Sequence, residues 1–125
     1  MVRLTSYSIK KGVPAPRENT FRPAQTINIA NKITNPWRVK ALRPLNGLHP
    51  DVQAFIWRCK RTKFIVNDLV YYAKVHGRDI NVGCYGGKHR SVAIVELVAE
   101  RLRLDGVQFE IVHRDLMEEV NSGDK

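Results

Sequence analysis

The stretch that decides the fold is DINVGCYGGKHRSVAIVELVAERLRLDGVQFEIV, residues 79–112. Its first five residues are β-prone, and a glycine-rich loop follows them. Apolar residues then recur at helical spacing from Ser91 to Leu104, with Glu and Arg on the opposite face. Asp105-Gly106 turns the chain, and residues 107–112 alternate as a strand does. Strand, loop, helix and strand make a βαβ unit around residues 84–91, which predicts a parallel pair of strands in an α/β domain.

Two more strands are predicted upstream of this unit. Val2 to Ile9 alternates apolar and polar residues, and Thr26 to Ile29 is a short β-prone run. Residues 10–24 contain three prolines and predict a surface loop, and residues 30–48 predict irregular structure.

Helical signals begin at His49-Pro50-Asp51, where a proline and an acid suit the first turn of a helix. Apolar residues recur at helical spacing to about His76, which predicts one helix broken near Arg61-Thr62, or two in sequence. Gly77 is the predicted C-terminal cap. The 125 residues therefore predict a single α/β domain over residues 1–116 with a small mixed or parallel sheet, and a disordered acidic tail over residues 117–125.

Charge is unevenly distributed along a chain whose formal net charge is +9. Residues 1–63 carry 13 Lys/Arg against two acids, which gives +11, whereas residues 64–125 carry 8 against 10, which gives −2. A basic half is typical of a surface that attracts anions, either nucleic acid or phosphorylated molecules, and it is also compatible with a merely solvated surface.

Several classes of partner and compartment are disfavoured by composition. No stretch approaches the roughly 20 apolar residues that span a bilayer, and the first residues lack an apolar leader, so no membrane partner is predicted. The two cysteines, Cys59 and Cys84, stand outside any CxxC or Cys/His ladder. We therefore predict a cytoplasmic protein with no metal site and no cofactor.

The loop Cys84–Ser91, CYGGKHRS, has the chemistry of an anion site. Amides at the start of a helix have no intrahelical partner, and the helix dipole adds partial positive charge there. Glycines let the backbone approach a ligand closely, and the cationic side chains add donors. The predicted phosphate-binding residues are Cys84, Tyr85, Gly86, Gly87, Lys88, His89, Arg90 and Ser91. A tight turn with solvated charges is the plain alternative.

The spacing Cys84-x5-Arg90-Ser91 is also that of a cysteine-dependent phosphatase. In that alternative Cys84 is the nucleophilic thiolate, Arg90 holds the phosphoryl group and Asp51 is the general acid. Two observations weigh against it. Asp51 is already explained as a first-turn residue of a helix, and Gly83 stands where such phosphatases usually have histidine.

The flanking sequence resembles the C-terminal domain of the RapZ family of bacterial nucleotide-binding proteins and RNase adapters. GCYGGKHRSV, residues 83–92, is similar to the family's GCTGGxHRSV. Residues 6–14 resemble its SFGFKxGxP opening, residues 35–48 its NP…LRPLTGLD stretch, and residues 113–116 its closing HRDL. These blocks occur in the family's order across nearly the whole chain.

The resemblance implies a regulatory binding module rather than an enzyme. Members bind small RNA and an aminosugar phosphate through this domain, and the P-loop of their N-terminal domain has no counterpart here. The implied ligand is a sugar phosphate or a nucleotide-like molecule, and the implied neighbours of the loop are Lys10, Arg43, His113 and Arg114. Tyr85 replaces the family's threonine, and the tail MEEVNSGDK is acidic where adapter members are basic.

RNA remains a second predicted partner through the basic half of the chain. The cations proposed to contact RNA phosphates include Lys11, Lys60, Arg61 and Lys63, although the last three also suit the polar face of a helix. Trp37 and Trp57 are interpreted as packing residues rather than stacking platforms. Tyr71-Tyr72 suits either the core or a homo-oligomer contact.

Overall fold

The computed structural model describes residues 1–18 and 22–116 and shows a four-stranded, all-parallel sheet. The strand order is β2-β3-β1-β4. The strands are β1 (Val2–Ser8), β2 (Gln25–Asn28), β3 (Ile80–Cys84) and β4 (Phe109–His113). The predicted α/β fold is thus confirmed. The sheet was predicted to be mixed or parallel, and it is parallel. The predicted acidic tail, residues 117–125, lies outside the described residues.

Three α-helices lie wholly within the described residues: α1 (Pro50–Trp57), α2 (Thr62–His76) and α3 (Arg90–Leu104). Short 3-10 turns occur at Ile9–Lys11, Pro36–Arg38 and Lys40–Leu42, so the segment predicted to be irregular is partly wound. None of the helices in the described ranges is long and apolar enough to cross a membrane.

The break predicted near Arg61-Thr62 is confirmed, because α1 ends at Trp57 and α2 begins at Thr62. His49 caps α1 by accepting the Asp51 amide on Nδ1 at 3.1 Å, and Pro50 occupies the first helical position, where its missing N–H costs nothing. Gly77 ends α2 in the left-handed conformation at φ 62°, which is the predicted cap.

The βαβ unit of β3, α3 and β4 is present, but its two strands are not neighbours. β1 lies between them, with Leu4 in register with Ile80 on one side and Ile111 on the other. The chain therefore crosses over β1 on its way through α3. Local pattern predicts the crossover and its direction, whereas the insertion of a strand from the other end of the chain depends on long-range pairing.

One face of the sheet packs on the helices and forms the core. Alternate residues of the central strands, including Leu4, Ile80 and Val82, are fully buried together with Ile94 and Leu102 of α3. Each such side chain contributes about 1.5–3 kcal/mol to stability by burial.

The other face is polar and is tied down by an ion pair. Arg17 donates from Nε and Nη2 to the two carboxylate oxygens of Asp79 at 2.7 and 2.6 Å. Burial by itself would raise the pKa of Asp79, but the Arg17 side chain and the Arg3 amide outweigh it and lower that pKa. The segment around Arg17 is thereby fastened to the amino end of β3, which leaves the opposite edge of the sheet for a site.

Candidate functional site

The carboxyl ends of all four strands meet at one edge of the sheet because the strands are parallel. Ser8, Asn28, Cys84 and His113 are the last residues of the strands, and the loop between β3 and α3 leaves from this edge. Ligands of open α/β sheets bind in the crevice outside such an edge. The fold thus places the predicted loop where a binding site is expected.

The glycine loop, residues 84–91, is held against the end of β1. Gly87 has φ 67°, and a Cβ built there would lie 2.8 Å from the Ser8 amide nitrogen, so no side chain fits. Gly86 has open space around it. The Ser8 hydroxyl donates to the Tyr85 carbonyl at 2.8 Å. Gly87 is therefore required by the fold of the loop, and Gly86 is not.

The first residues of α3 are buried beneath the loop. Ser91 donates its amide to Cys84 Sγ at 3.4 Å, and its hydroxyl oxygen lies 3.2 Å from the same sulfur. Both side chains are almost fully buried. Cys84 and Ser91 are therefore in contact, and the thiol lies in the wall beneath the loop.

Arg90 braces a segment that sequence reasoning did not connect with it. Its Nη1 donates to the Ala30 carbonyl at 2.6 Å and to the Ile33 carbonyl at 3.2 Å, and the residue is 5% exposed. This guanidinium therefore holds the chain after β2 against the start of α3, besides lining the pocket described below.

His89 faces backbone carbonyls of the 3-10 segment upstream of α1. Its Nε2 lies 3.2 Å from the Leu42 carbonyl, and the side chain is buried. Burial, together with the charge of Lys88, lowers the pKa of His89 below its ordinary value. His89 is therefore neutral at physiological pH. A neutral ring can donate a hydrogen bond to the Leu42 carbonyl, but it brings no positive charge to a phosphate.

Gly47 brings the segment around residues 42–48 onto the first turn of α3. Its amide donates to the Lys88 carbonyl at 2.9 Å, and a Cβ there would lie 2.4 Å from the Ala93 nitrogen. This close approach requires glycine. The sequence predicted irregular structure for residues 30–48, but nothing local revealed that Gly47 packs on the glycine loop.

A pocket of about 580 Å³ opens in front of the loop. None of its lining residues is acidic. The lining residues are Asn35, Trp37, Cys84, Tyr85, Gly86, Lys88, His89 and Arg90. Six of these eight belong to the predicted loop, and Asn35 and Trp37 were not predicted to reach it.

Two half-exposed aromatic side chains line this pocket. Trp37 is 54% exposed, and Arg43 stabilises it by donating from Nε to its carbonyl at 2.7 Å and placing its guanidinium 5.4 Å from the ring centre. Tyr85 is 56% exposed, with the Lys10 ammonium 4.0 Å from its ring centre. Lys10 and Arg43 thus support aromatic walls and do not line the pocket themselves.

The interpretation of the two tryptophans as packing residues is wrong. Trp57 is 47% exposed on α1, and Trp37 presents its ring to the pocket. Both rings lie outside the buried core.

The closing residues of β4 share the carboxyl edge but make structural contacts there. His113 bridges the Ser6 hydroxyl at 2.7 Å and the Glu96 carboxylate at 2.8 Å. Arg114 donates to the Gly12 carbonyl at 2.8 Å and pairs with Asp115. Neither His113 nor Arg114 lines the pocket in front of the glycine loop.

Asp115 fastens the end of β4 to the end of β1 by accepting the Ser8 amide. Burial would raise the pKa of Asp115, but hydrogen bonds from Arg114 and Ser8 lower it overall. The carboxylate therefore remains ionised and holds these strand ends together.

Comparison with known proteins identifies the family of this chain. The family model described as RapZ C-terminal domain matches residues 1–117. The chain belongs to the RapZ C-terminal domain family. The resemblance seen in the sequence is therefore confirmed.

Curated relatives of this RapZ-type domain are longer proteins. It is 30% identical to a nucleotide-binding protein of Clostridium acetobutylicum, with 100% of the chain and 44% of the relative covered. It is 35% identical to a nucleotide-binding protein of Mycolicibacterium smegmatis and 34% to one of Koribacter versatilis, with 92% of the chain and 41% and 38% of the relatives covered. The chain thus spans less than half the length of these relatives.

The remaining predicted residues of the RapZ-type domain lie away from the pocket lining. Asp51 is exposed at the start of α1, 3.9 Å from His49 Nδ1. Lys60 and Arg61 are exposed in the turn between α1 and α2, and Lys63 is exposed in the first turn of α2. Lys11 is exposed in the 3-10 turn after β1.

Proposed function

We propose that this RapZ-type domain binds a phosphorylated small molecule, a sugar phosphate or a nucleotide-like compound, in the pocket in front of the glycine loop. The observation that carries the proposal is the lining of that pocket, which combines loop backbone, cations and two exposed aromatic rings with no carboxylate. The relatives described as nucleotide-binding proteins are consistent with a ligand of this class.

The phosphate is assigned to the glycine loop. Lys88 and Arg90 line the pocket beside the start of α3 and add positive charge there, where the helix dipole also favours an anion. The missing carboxylates matter equally, since one acid in this lining would repel the ligand.

The rest of the ligand is assigned to the aromatic walls. A sugar or base ring can pack its face on Trp37 or Tyr85, and stacking of a base on an aromatic side chain contributes about 1–3 kcal/mol. Arg43 and Lys10 hold these rings in place before the ligand arrives, which lowers the entropy cost of binding.

Binding without turnover is proposed because the catalytic alternative lacks parts within the described residues. Asp51, the general acid of that alternative, does not line the pocket, and the Cys84 thiol is almost fully buried beneath the loop. The lining of the pocket holds no Asp or Glu in the place of the general acid that the cysteine-phosphatase alternative assigned to Asp51.

Calorimetric titration with hexose 6-phosphates and nucleoside 5′-monophosphates tests binding. We expect saturable binding that weakens about 10-fold or more in Trp37→Ala and in Lys88→Ala. The matched controls Trp57→Ala and Lys63→Ala remove an equally exposed ring and an exposed ammonium elsewhere. Absence of saturable binding, or equal effects of the site and control variants, would contradict the proposal.

Incubation with an aryl phosphate tests turnover. We expect no release of phenol by the wild-type chain. Release that disappears in Cys84→Ser would replace the binding proposal with the cysteine-phosphatase alternative.

RNA binding is proposed as a second function on the charge of the N-terminal half. Lys11, Lys60, Arg61 and Lys63 are exposed, as contacts to phosphate require. Fluorescence anisotropy with a labelled RNA over a series of salt concentrations tests it. The affinity should fall steeply with salt, and the triple variant at residues 60, 61 and 63 to alanine should have a shallower slope. No affinity at low salt would exclude this function.

A further inference from the structure

A second recess adjoins the pocket in front of the glycine loop. This polar recess has a volume of about 260 Å³ and is lined by residues 30–35 together with Arg38 and Arg90. Asn35 and Arg90 also line the first pocket. These two residues therefore form a wall that both cavities share.

The polar recess carries the same sign of charge as the glycine loop. Lys32, Arg38 and Arg90 line it, and none of its lining residues is acidic. Among the described residues, no hydrogen bond or ion pair engages the exposed Lys32 ammonium or the exposed Arg38 guanidinium. Three cations without a carboxylate repel one another, so an anion in the recess would stabilise this arrangement.

Arg90 connects the two cavities chemically. Its two hydrogen bonds, to the Ala30 and Ile33 carbonyls, both come from Nη1, so Nε and Nη2 are unbonded within the described part of the chain. Among the described residues, no side-chain nitrogen is both fully buried and without a hydrogen-bond partner. The unbonded nitrogens of this nearly buried arginine therefore reach the cavities it lines.

We propose that the polar recess is a second anion subsite, and that the ligand class is a ring compound carrying two separate phosphate groups. One phosphate binds at the glycine loop, the ring packs against Trp37, and the second phosphate binds among Lys32, Arg38 and Arg90. This inference rests on the proposed function, because the first phosphate is the one assigned to the loop. A hexose bisphosphate and a nucleoside bisphosphate share this chemistry.

Paired ligands that differ by one phosphate test the inference. Calorimetry compares hexose 6-phosphate with hexose 1,6-bisphosphate, and adenosine 5′-monophosphate with adenosine 3′,5′-bisphosphate. We expect one of the bisphosphates to bind about 10-fold more tightly than its monophosphate, because it adds charge-assisted hydrogen bonds. The pair that shows the difference identifies the ring as sugar or nucleoside.

The double variant Lys32→Ala/Arg38→Ala should abolish that difference and leave the affinity for the monophosphate unchanged within about twofold. The control Lys60→Ala/Arg61→Ala removes the same charge from the turn between α1 and α2 and should preserve the difference. Equal affinities in the wild-type chain, or a difference that survives in the recess variant, would overturn the inference alone. Failure of all four compounds to bind would overturn the proposed function as well.

Discussion

At the scale of single residues, the site depends on which backbone positions tolerate a side chain. Gly86 and Gly87 are adjacent and look alike in the sequence, yet only Gly87 combines positive φ with a close approach to β1. Arg90 and Cys84 were both assigned to ligand chemistry by their spacing. In the fold the arginine also braces the chain after β2, and the cysteine contacts Ser91.

Alanine at each glycine separates these roles. Gly87→Ala should lower the free energy of unfolding by about 1–3 kcal/mol, because it forces an L-residue into strained backbone and against Ser8. Gly86→Ala should change it by less than about 0.5 kcal/mol, since open space surrounds that position. Urea unfolding measures both. Equal losses would show that the loop does not pack on β1 as described.

The buried imidazole of His89 predicts a pH dependence of stability. Burial lowers the pKa of His89 in the folded state, so the unfolded chain binds more protons below its own pKa of about 6.5. Above about pH 6.5 His89 is neutral in both states and does not change the free energy of unfolding with pH. As the pH falls from there towards the folded-state pKa, the free energy of unfolding decreases, because only the unfolded chain takes up the proton.

The change for one such group is at most about 1.4 kcal/mol per pH unit. Urea midpoints at pH 7.5 and 5.5 should therefore differ more in the wild-type chain than in His89→Gln, whose side chain does not titrate. The comparison uses the pH difference within each protein, so a general loss of stability in the variant does not affect it. Identical pH differences would contradict a neutral buried His89.

At the scale of elements, the turn between α1 and α2 is set by one buried hydroxyl. Thr62 starts α2 and donates its side-chain hydroxyl back to the Ile56 carbonyl of α1, while its amide donates to the Cys59 carbonyl at 3.1 Å. The start of α2 is thereby bonded to the last turn of α1, and the exposed cations Lys60 and Arg61 lie in the turn between them.

Thr62→Val should cost about 1 kcal/mol of unfolding free energy, since it keeps the shape of the side chain and removes one hydrogen bond. The Ile56 carbonyl retains the Cys59 amide at 3.1 Å, so a larger penalty for an unpaired carbonyl is not expected. Thr62→Ser retains the hydroxyl and is the control for the bond. If the serine variant loses as much stability as the valine variant, packing of the methyl group and not the bond sets the turn.

At the scale of the whole molecule, the sheet has a helical face, a polar face and a carboxyl edge that carries the pocket. The ion pair of Arg17 and Asp79 joins positions 62 residues apart and is largely shielded from solvent. Its location at the amino end of β3 leaves the carboxyl edge unobstructed for the pocket. The polar recess continues that pocket along the chain after β2.

Arg17→Ala should lower the free energy of unfolding by about 1.5–3 kcal/mol, because it leaves the partly buried Asp79 carboxylate without its main partner. Arg103→Ala is the matched control, since its pair with Glu100 is exposed on both sides and is worth about 0.5 kcal/mol or less. Thermal or urea unfolding checks the difference. Equal effects of the two substitutions would show that the Arg17 pair is no more than a surface contact.

The sequence by itself determined the elements, the family and the central loop. Periodicity, proline and glycine act within a few residues, so the α1–α2 break, the Gly77 cap and the βαβ unit could be predicted from local pattern. The tertiary structure alone decided that β1 lies between β3 and β4, that Arg90 reaches Ala30, and that Trp37 lines the pocket. Those contacts join residues far apart in the chain, and their geometry follows from strand register and core packing, which no local pattern encodes.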